Sequence, residues 1–428
     1  MAPGLLWVTG VNQDRGMPSG NGRSLPLAPR AGAALRRLPL APEAREQDRA
    51  WRPIYAVWEL TLKCDLACRH CGSRAGRTRP DELTTAECLD LVRQMAELGV
   101  LEVTVIGGEA YLHDDWLVII EAIRDAGMQC SMTTGGRGLT AERARGAAAA
   151  GLQSASISLD GREATHDRLR GVVGSHRAAL AAATHLRAAG VAVSVNTQIN
   201  KLSMSELPDV LETAIGLGAH SWQIQLTAAM GSAADAPEVL LQPEDLLELF
   251  PLLGRLKARC NEVGVMLWPG NNVGYFGPYE SILRGGASGR GHTASCGAGC
   301  TTLGIEADGA IKGCPSLQTQ PWTGGNIRDA SLRDIWERAA PLRYMRDRTV
   351  EDLWGYCRGC YYANVCRAGC TWTAFSLFGK AGNNPLCHHR ALEMRRQGKR
   401  ERLVQVEAAP GVPFDNGRFE IIVEDITP

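Results

Sequence analysis

In the stretch CDLACRHC, three cysteines, Cys64, Cys68 and Cys71, are separated by three and then two residues. A cubane iron–sulfur cluster takes one thiolate per iron, so three thiolates leave one iron open to a ligand that is not protein. That open corner is a place for chemistry. The other readings are a zinc knuckle or three unrelated cysteines, but zinc sites usually take four ligands from paired C-x2-C or C-x4-C spacings, which this run lacks. Eight more cysteines follow at 296, 300, 314, 357, 360, 366, 370 and 387. Eight is two sets of four, enough for two fully ligated iron–sulfur clusters or two structural zinc sites. A cluster with no open iron cannot bind substrate directly. It serves to move electrons or to stabilise a small domain with little apolar core.

The elements that must position these groups are legible from Tyr55 to Gly264. Short apolar or β-branched runs (YAVWELTL, VLEVTVI, MQCSMT, SASISL, VAVSVNTQI, HSWQIQL) alternate with helical segments ending at Gly99, Gly127, Gly151, Gly190, Gly218 and Gly264. Glycine just past a helix permits the left-handed cap that turns the chain into the next strand. Six such units predict an α/β fold, a parallel sheet curved into a partial (β/α)6 barrel with helices outside. In the first helix Thr84 and Glu87 form a capping box, and Cys88, Leu91, Val92, Met95 and Leu98 share one face, so Cys88 belongs to the core. Cys130 and Cys260 are likewise structural.

In such a barrel the C-terminal strand ends face one mouth, where α/β barrels place their chemistry. The three cysteines follow strand one. Strand two is followed by Gly107, Gly108 and Glu109, where missing side chains would let a ligand approach the backbone. Strand three ends in Thr133-Thr134-Gly135-Gly136. After strand four, Ser158 and Asp160 are short polar side chains suited to ribose hydroxyls, and Arg170 is either a bidentate carboxylate partner or a solvated surface charge. Asn196 and Gln225 point to the mouth or the core, Gln225 more simply as a buried amide satisfied by backbone. Asp308-Gly309 predicts a hairpin between TTLGIEA and AIKGCPS that brings Cys300 near Cys314.

The Cys-x3-Cys-x2-Cys run resembles the mark of the radical SAM superfamily. The resemblance implies that the open iron chelates the amino and carboxylate groups of S-adenosylmethionine (SAM), whose one-electron reduction yields a 5'-deoxyadenosyl radical. It carries the methionyl amino group to Gly107, Gly108 and Glu109 and the methionyl carboxylate to Arg170. It also gives Thr134, Ser158, Asp160 and Asn196 as cofactor contacts, although relatives often have Asn-Gly where this chain has Thr134-Gly135. The cysteines from 296 to 387 match the SPASM extension of the family. By that resemblance Cys296, Cys300, Cys314 and Cys370 hold one auxiliary cluster, and Cys357, Cys360, Cys366 and Cys387 another, making three [4Fe-4S] clusters in all.

Composition bounds the rest. The chain has 428 residues, 45% of them hydrophobic, and zero formal net charge. It therefore has a sizeable core, no field to attract nucleic acid, and no apolar run of membrane-spanning length. MAPGLLWVTG lacks a basic region ahead of an apolar stretch, so a cytoplasmic, reducing location is expected, where fourteen cysteines mean metal. The expected organisation is a flexible or surface-bound arm at 1–50, with LPLAP twice, then the barrel at 51–264, a connecting loop at 265–295, the SPASM domain at 296–390 and a tail at 391–428. Tyr275, Phe276, Tyr279 and His292 are candidate substrate contacts in the loop. In the tail, RRQGKRER reads as a solvated helix face and FEIIV as a strand or lid.

The resemblance implies an enzyme that abstracts hydrogen from a substrate carbon, most members modifying peptides or proteins. Sulfatase-maturing relatives place an Asp base directly after the cysteine matching Cys314. Here that residue is Pro315, which accepts no proton. Eight auxiliary cysteines also disfavour relatives that hold a substrate thiol on an incompletely ligated iron. The expected function is maturation of a ribosomally made precursor peptide through a C–C or C–O crosslink. The expected electron source is a reductase or a flavodoxin- or ferredoxin-type donor. The alternatives are a formylglycine-type or small-molecule dehydrogenase and, in another class, a zinc-stabilised peptide-binding scaffold.

Overall fold

The computed structural model describes residues 40–284 and 296–426. Residues 1–39 of the expected arm, and 285–295 of the loop with His292, lie outside the described residues. The six expected strands are β1 (Tyr55–Glu59), β2 (Glu102–Ile106), β3 (Gln129–Thr134), β4 (Ser154–Ser158), β5 (Ala192–Ile199) and β6 (Ser221–Leu226). They pair in parallel in that order. A seventh, β7 (Met266–Pro269), adds to β6 within the expected loop. It is short, has one strand partner and leaves Met266 and Trp268 exposed, so its pattern does not stand out from a loop.

Residues 40–50 belong to the body. Helix α1 (Glu46–Ala50) places Asp48, which is fully buried, against Arg343 at 2.9 Å and Arg346 at 3.1 Å. Charges paired this far from water hold the segment down. The outer helices between strands are α2 (Thr85–Leu98), α3 (Trp116–Asp125), α4 (Ala141–Ala149), α5 (Glu163–Arg170), α6 (Ser175–Ala188), α7 (Leu207–Gly216) and α8 (Leu246–Val263). The α2 capping box forms, and its buried residues are the five expected. All six punctuating glycines have positive φ, between 63° and 94°.

The cysteine-rich segment does not stand apart from the barrel. Strand β8 (Thr302–Ile305) runs parallel to β1 on its free edge, and β9 (Ala310–Lys312) and β10 (Thr323–Asn326) continue the sheet antiparallel, giving the order β10-β9-β8-β1-β2-β3-β4-β5-β6-β7. The expected hairpin around Asp308-Gly309 is therefore an extension of the barrel sheet, and its loops open onto the same mouth. In the tail, β11 (Lys399–Glu407) and β12 (Arg418–Asp425) form a separate two-stranded sheet. RRQGKRER is thus a helix end, a turn and a strand. Arg400 and Arg402 pair across the hairpin with Glu424 at 3.0 and 2.8 Å.

Candidate functional site

The loop after β1 is shaped by backbone bonds to its neighbours. Ala67 N–H donates to Arg170 O at 3.1 Å and Arg69 N–H to Leu169 O at 2.8 Å, tying the cysteine run to the end of α5. Gly108 and Glu109 N–H groups donate to Thr61 O and Lys63 O at 2.8 and 2.9 Å. A Cβ on Gly107 would collide with Thr61 O, and one on Gly108 with Lys63 O and Cys64 Cβ. These glycines therefore admit the cysteine loop itself, rather than leaving room for a ligand as the sequence suggested.

Cys64, Cys68, Cys71, Gly107, Gly108, Glu109, Thr134, Ser158, Arg170 and Asn196 line one cavity of about 280 Å³ at the strand ends. Glu109 lies at its floor, 2% exposed. Its Oε1 accepts from Gly135 N–H at 2.7 Å and its Oε2 from the Thr134 hydroxyl. Burial pushes the Glu109 carboxyl up to about 7 against these donors, and its oxygen lies within 4.8 Å of ligand atoms of Cys64 and Asp65. A buried carboxylate with this residual desolvation penalty suits an incoming ammonium.

Asp160 is a correction. It is fully buried and does not line the cavity. Its Oδ2 accepts from Arg170 Nε at 2.7 Å and lies 3.3 Å from His70 Nε2, while Oδ1 accepts from Gln198 N–H at 2.9 Å. These contacts occupy Oδ2 and give Oδ1 one backbone donor, so Asp160 orients Arg170 and His70 from behind. The Arg170 guanidinium beside it holds its carboxyl well below the carboxylate range despite burial. Arg170, 9% exposed, is not the alternative surface charge: it reaches the cavity and lies 3.8 Å from Cys68 Sγ.

Gln225 is a second correction, since it lines the cavity beside Asn196 and Gln198. Asn196 and Gln198 stand two apart on β5 and so share a face, a polar alternation legible in VAVSVNTQI. Glu59, Glu306, Met230, Trp372 and Phe414 also line the cavity and were missed. Nothing in the local pattern shows that segments so distant in sequence meet. Pro315 and Ser316 face the cavity, so no carboxylate occupies the position after Cys314.

The loop aromatics lie elsewhere. Phe276 stacks on Tyr362 at 4.3 Å beside the second cysteine group, Tyr275 is buried with its carbonyl 3.5 Å from Cys387 Sγ, and Tyr279 packs on Gly254. None lines the mouth cavity. Cys357, Cys360, Cys366 and Cys387 line one small cavity together. Cys296, Cys300 and Cys314 share another small apolar cluster, with Cys370 beside Cys296 and Cys314. Burial and the neighbouring sulfurs push the Cys314 thiol up to about 11 and that of Cys370 to about 12. Each quartet offers four thiols, a donor set that fits a soft metal or an iron–sulfur cluster, and His389 also lines the cavity of the Cys357 quartet. Cys88, Cys130 and Cys260 are buried and outside these groups.

Residues 58–214 match the family model described as the radical SAM superfamily, and residues 296–361 that of an iron–sulfur cluster-binding domain, SPASM. The chain is 31% identical to an AdoMet-dependent heme synthase of Methanosarcina barkeri, over 79% of its own length and 97% of the relative's. It is 28% identical to a PqqA peptide cyclase of Methylocella silvestris, over 78% and 87%. Among solved structures, Streptococcus suis SuiB bound to the precursor peptide SuiA has the same fold, with a TM-score of 0.60 at 17% identity over 80% of this chain and 76% of that one.

Proposed function

The chain belongs to the radical SAM superfamily and carries a SPASM extension, and from that premise we propose that it matures a ribosomally made precursor peptide by forming a C–C or C–O crosslink. The observation that carries the reading is the make-up of the mouth cavity. Its amide side chains, Asn196, Gln198 and Gln225, suit a peptide backbone, and its carboxylates, Glu59, Glu109 and Glu306, outnumber its one arginine, Arg170. Cys64, Cys68 and Cys71 would hold a [4Fe-4S] cluster and the two later quartets one each, three in all. When bound and reduced by one electron, the first cluster and SAM together supply a 5'-deoxyadenosyl radical. Glu109 and Arg170 would receive the methionyl ammonium and carboxylate, and Thr134, Ser158 and Asn196 would contact the rest of the cofactor. The apolar wall of Leu62, Met230, Phe414 and Trp372 keeps water from the rim.

Electrons come from a reductase or a flavodoxin- or ferredoxin-type donor in the cytoplasm. No helix among the described residues is long and apolar enough to cross a membrane. The heme synthase relatives favour a second reading, action on a heme precursor. The peptide reading is preferred because Gln198 and Gln225 present amide groups of the kind a peptide backbone pairs with.

The test is anaerobic reconstitution of the full chain, then dithionite and SAM. The expected outcome is about twelve irons per chain and 5'-deoxyadenosine release stimulated by a short peptide encoded beside its gene, the peptide losing the mass of two hydrogens. Consumption of a porphyrin precursor with no peptide modified would replace this reading with the second. A colourless zinc protein that leaves SAM uncut would remove both.

A further inference from the structure

A buried charge cluster forms the wall of the cavity between β1 and β8. Glu59, the last residue of β1, is 3% exposed, and its Oε1 accepts from Arg79 Nε at 2.9 Å and Ala307 N–H at 3.4 Å. Glu306, one residue past β8, takes Lys312 Nζ and the Thr319 hydroxyl on Oε1, each at 2.6 Å, and its Oε2 lies 3.4 Å from Arg79 Nη2. Asp308 lies 4.0 Å from Arg79 Nη1. Glu82 adds a further carboxylate, its Oε1 accepting from the Thr61 hydroxyl and Arg79 N–H at 3.1 and 2.9 Å. The Phe414 ring lies 4.1 Å from Lys312 Nζ and 5.3 Å from Arg79 Cζ and covers both cations.

Glu82 is held by backbone N–H groups and a hydroxyl and makes no ion pair with Arg79 or Lys312 among the described residues, whereas Glu59, Glu306 and Asp308 share these two cations, so that set of five carries one more negative than positive charge. One proton would bring it to balance. Of the two acids in this set that line the cavity, Glu306 is held ionised by Lys312 and Arg79, and its Oε2 is sealed off. Glu59 is pushed upward, first by burial and then by Glu306 against the opposing pull of Arg79. Its Oε2 accepts no hydrogen bond among the described residues and is not sealed. Glu109, the third acid, is committed to Thr134 and Gly135.

We propose that Glu59 is the catalytic residue that accepts the proton released when substrate is oxidised in this cavity. The inference rests on the proposed oxidative crosslinking. Forming the bond removes two hydrogens from a C–H and a second C–H or O–H of the peptide. One leaves as a hydrogen atom to the 5'-deoxyadenosyl radical. The other leaves as an electron, taken by an oxidised iron–sulfur centre, and a proton, taken by Glu59 Oε2. Arg79 and Lys312 are positioning residues that keep Glu306 charged; burial and Glu306 push the Asp308 carboxyl upward too, but Asp308 does not line the cavity, so the proton leaving substrate goes to Glu59.

Two variants of the reconstituted full chain test this. Glu59→Gln keeps the side-chain volume and the acceptor for Arg79 but takes up no proton; Glu59→Asp keeps a carboxylate. Infrared difference spectra, recorded without substrate from about pH 9 to about pH 5, should show a carboxylic-acid C=O band in the wild type that Glu59→Gln lacks. With the peptide identified above, Glu59→Gln should still form 5'-deoxyadenosine while crosslinked product falls about 100-fold, and Glu59→Asp should recover part of it. Wild-type product formation by Glu59→Gln, or no band dependent on Glu59, overturns the proposal. If no peptide is modified, the substrate reading fails separately, and the infrared band alone decides whether Glu59 takes up the proton.

Discussion

Replacing Gly171 by alanine tests whether the cysteine loop is held in place by backbone packing against the end of α5. Gly171 caps that helix at φ 70°, and a Cβ there would collide with the carbonyl of Ala67, the residue directly before Cys68. Left-handed backbone costs an alanine about 1–2 kcal/mol. Overpacking against backbone that cannot yield adds about 1–3 kcal/mol, because shifting Ala67 strains the Ala67–Arg170 and Arg69–Leu169 hydrogen bonds. The expected loss is therefore about 2–5 kcal/mol in total. Gly99 is the matched control: it caps α2 at φ 92°, but a Cβ there meets nothing within 4 Å. Gly99→Ala should lose only the backbone share, about 1–2 kcal/mol. Urea unfolding of both variants under anaerobic conditions measures the difference, and the electron paramagnetic resonance signal of the reduced first cluster reports the loop directly. Equal destabilisation, with that signal unchanged in Gly171→Ala, would refute the claim that the collision sets the loop's position.

Glu109→Gln keeps the hydrogen-bonding shape but removes the charge, so SAM affinity measured by calorimetry should fall about tenfold to a hundredfold, the worth of a charge-assisted hydrogen bond; unchanged affinity would exclude Glu109 as the ammonium partner. Arg170→Ala strands the buried Asp160 carboxylate and should cost about 3–5 kcal/mol in urea unfolding, more than Arg170→Lys. Burial lowers His166 to about 3, so between its ordinary range near 6.5 and that value the unfolded chain binds the extra proton, and stability is lost as pH falls through this window. Comparing unfolding midpoints of the wild type and His166→Gln across this range should show a shallower pH dependence in the variant; parallel curves would exclude the effect. Cys366→Ala should lower bound iron by up to about four atoms per chain without abolishing SAM cleavage, as read by iron assay and 5'-deoxyadenosine release.

Much of the chemistry was legible because its signals are local. The Cys64–Cys71 spacing, the Thr84–Glu87 box and the six helix-ending glycines each depend on a few consecutive residues, and backbone geometry makes the same demand of them in any surroundings. The alternation of strands and helices set the parallel order, since a right-handed crossover leaves few other arrangements. Contacts across long separations were not legible. Asp160 has the residue type of a ribose ligand, yet Arg170 and His70 take its Oδ2 and the Gln198 N–H bonds its Oδ1, and a short polar side chain does not reveal where its lone pairs point. Likewise β8 joins β1 after some 240 intervening residues, and that pairing carries Glu306 to Arg79 and Glu59. Sequence alone located the thiols offered to a metal and the glycines that turn the chain. Only the tertiary structure decided which acids share a wall and which of them still has an oxygen to offer, because burial and charge balance belong to the neighbours that folding assembles, not to any one segment.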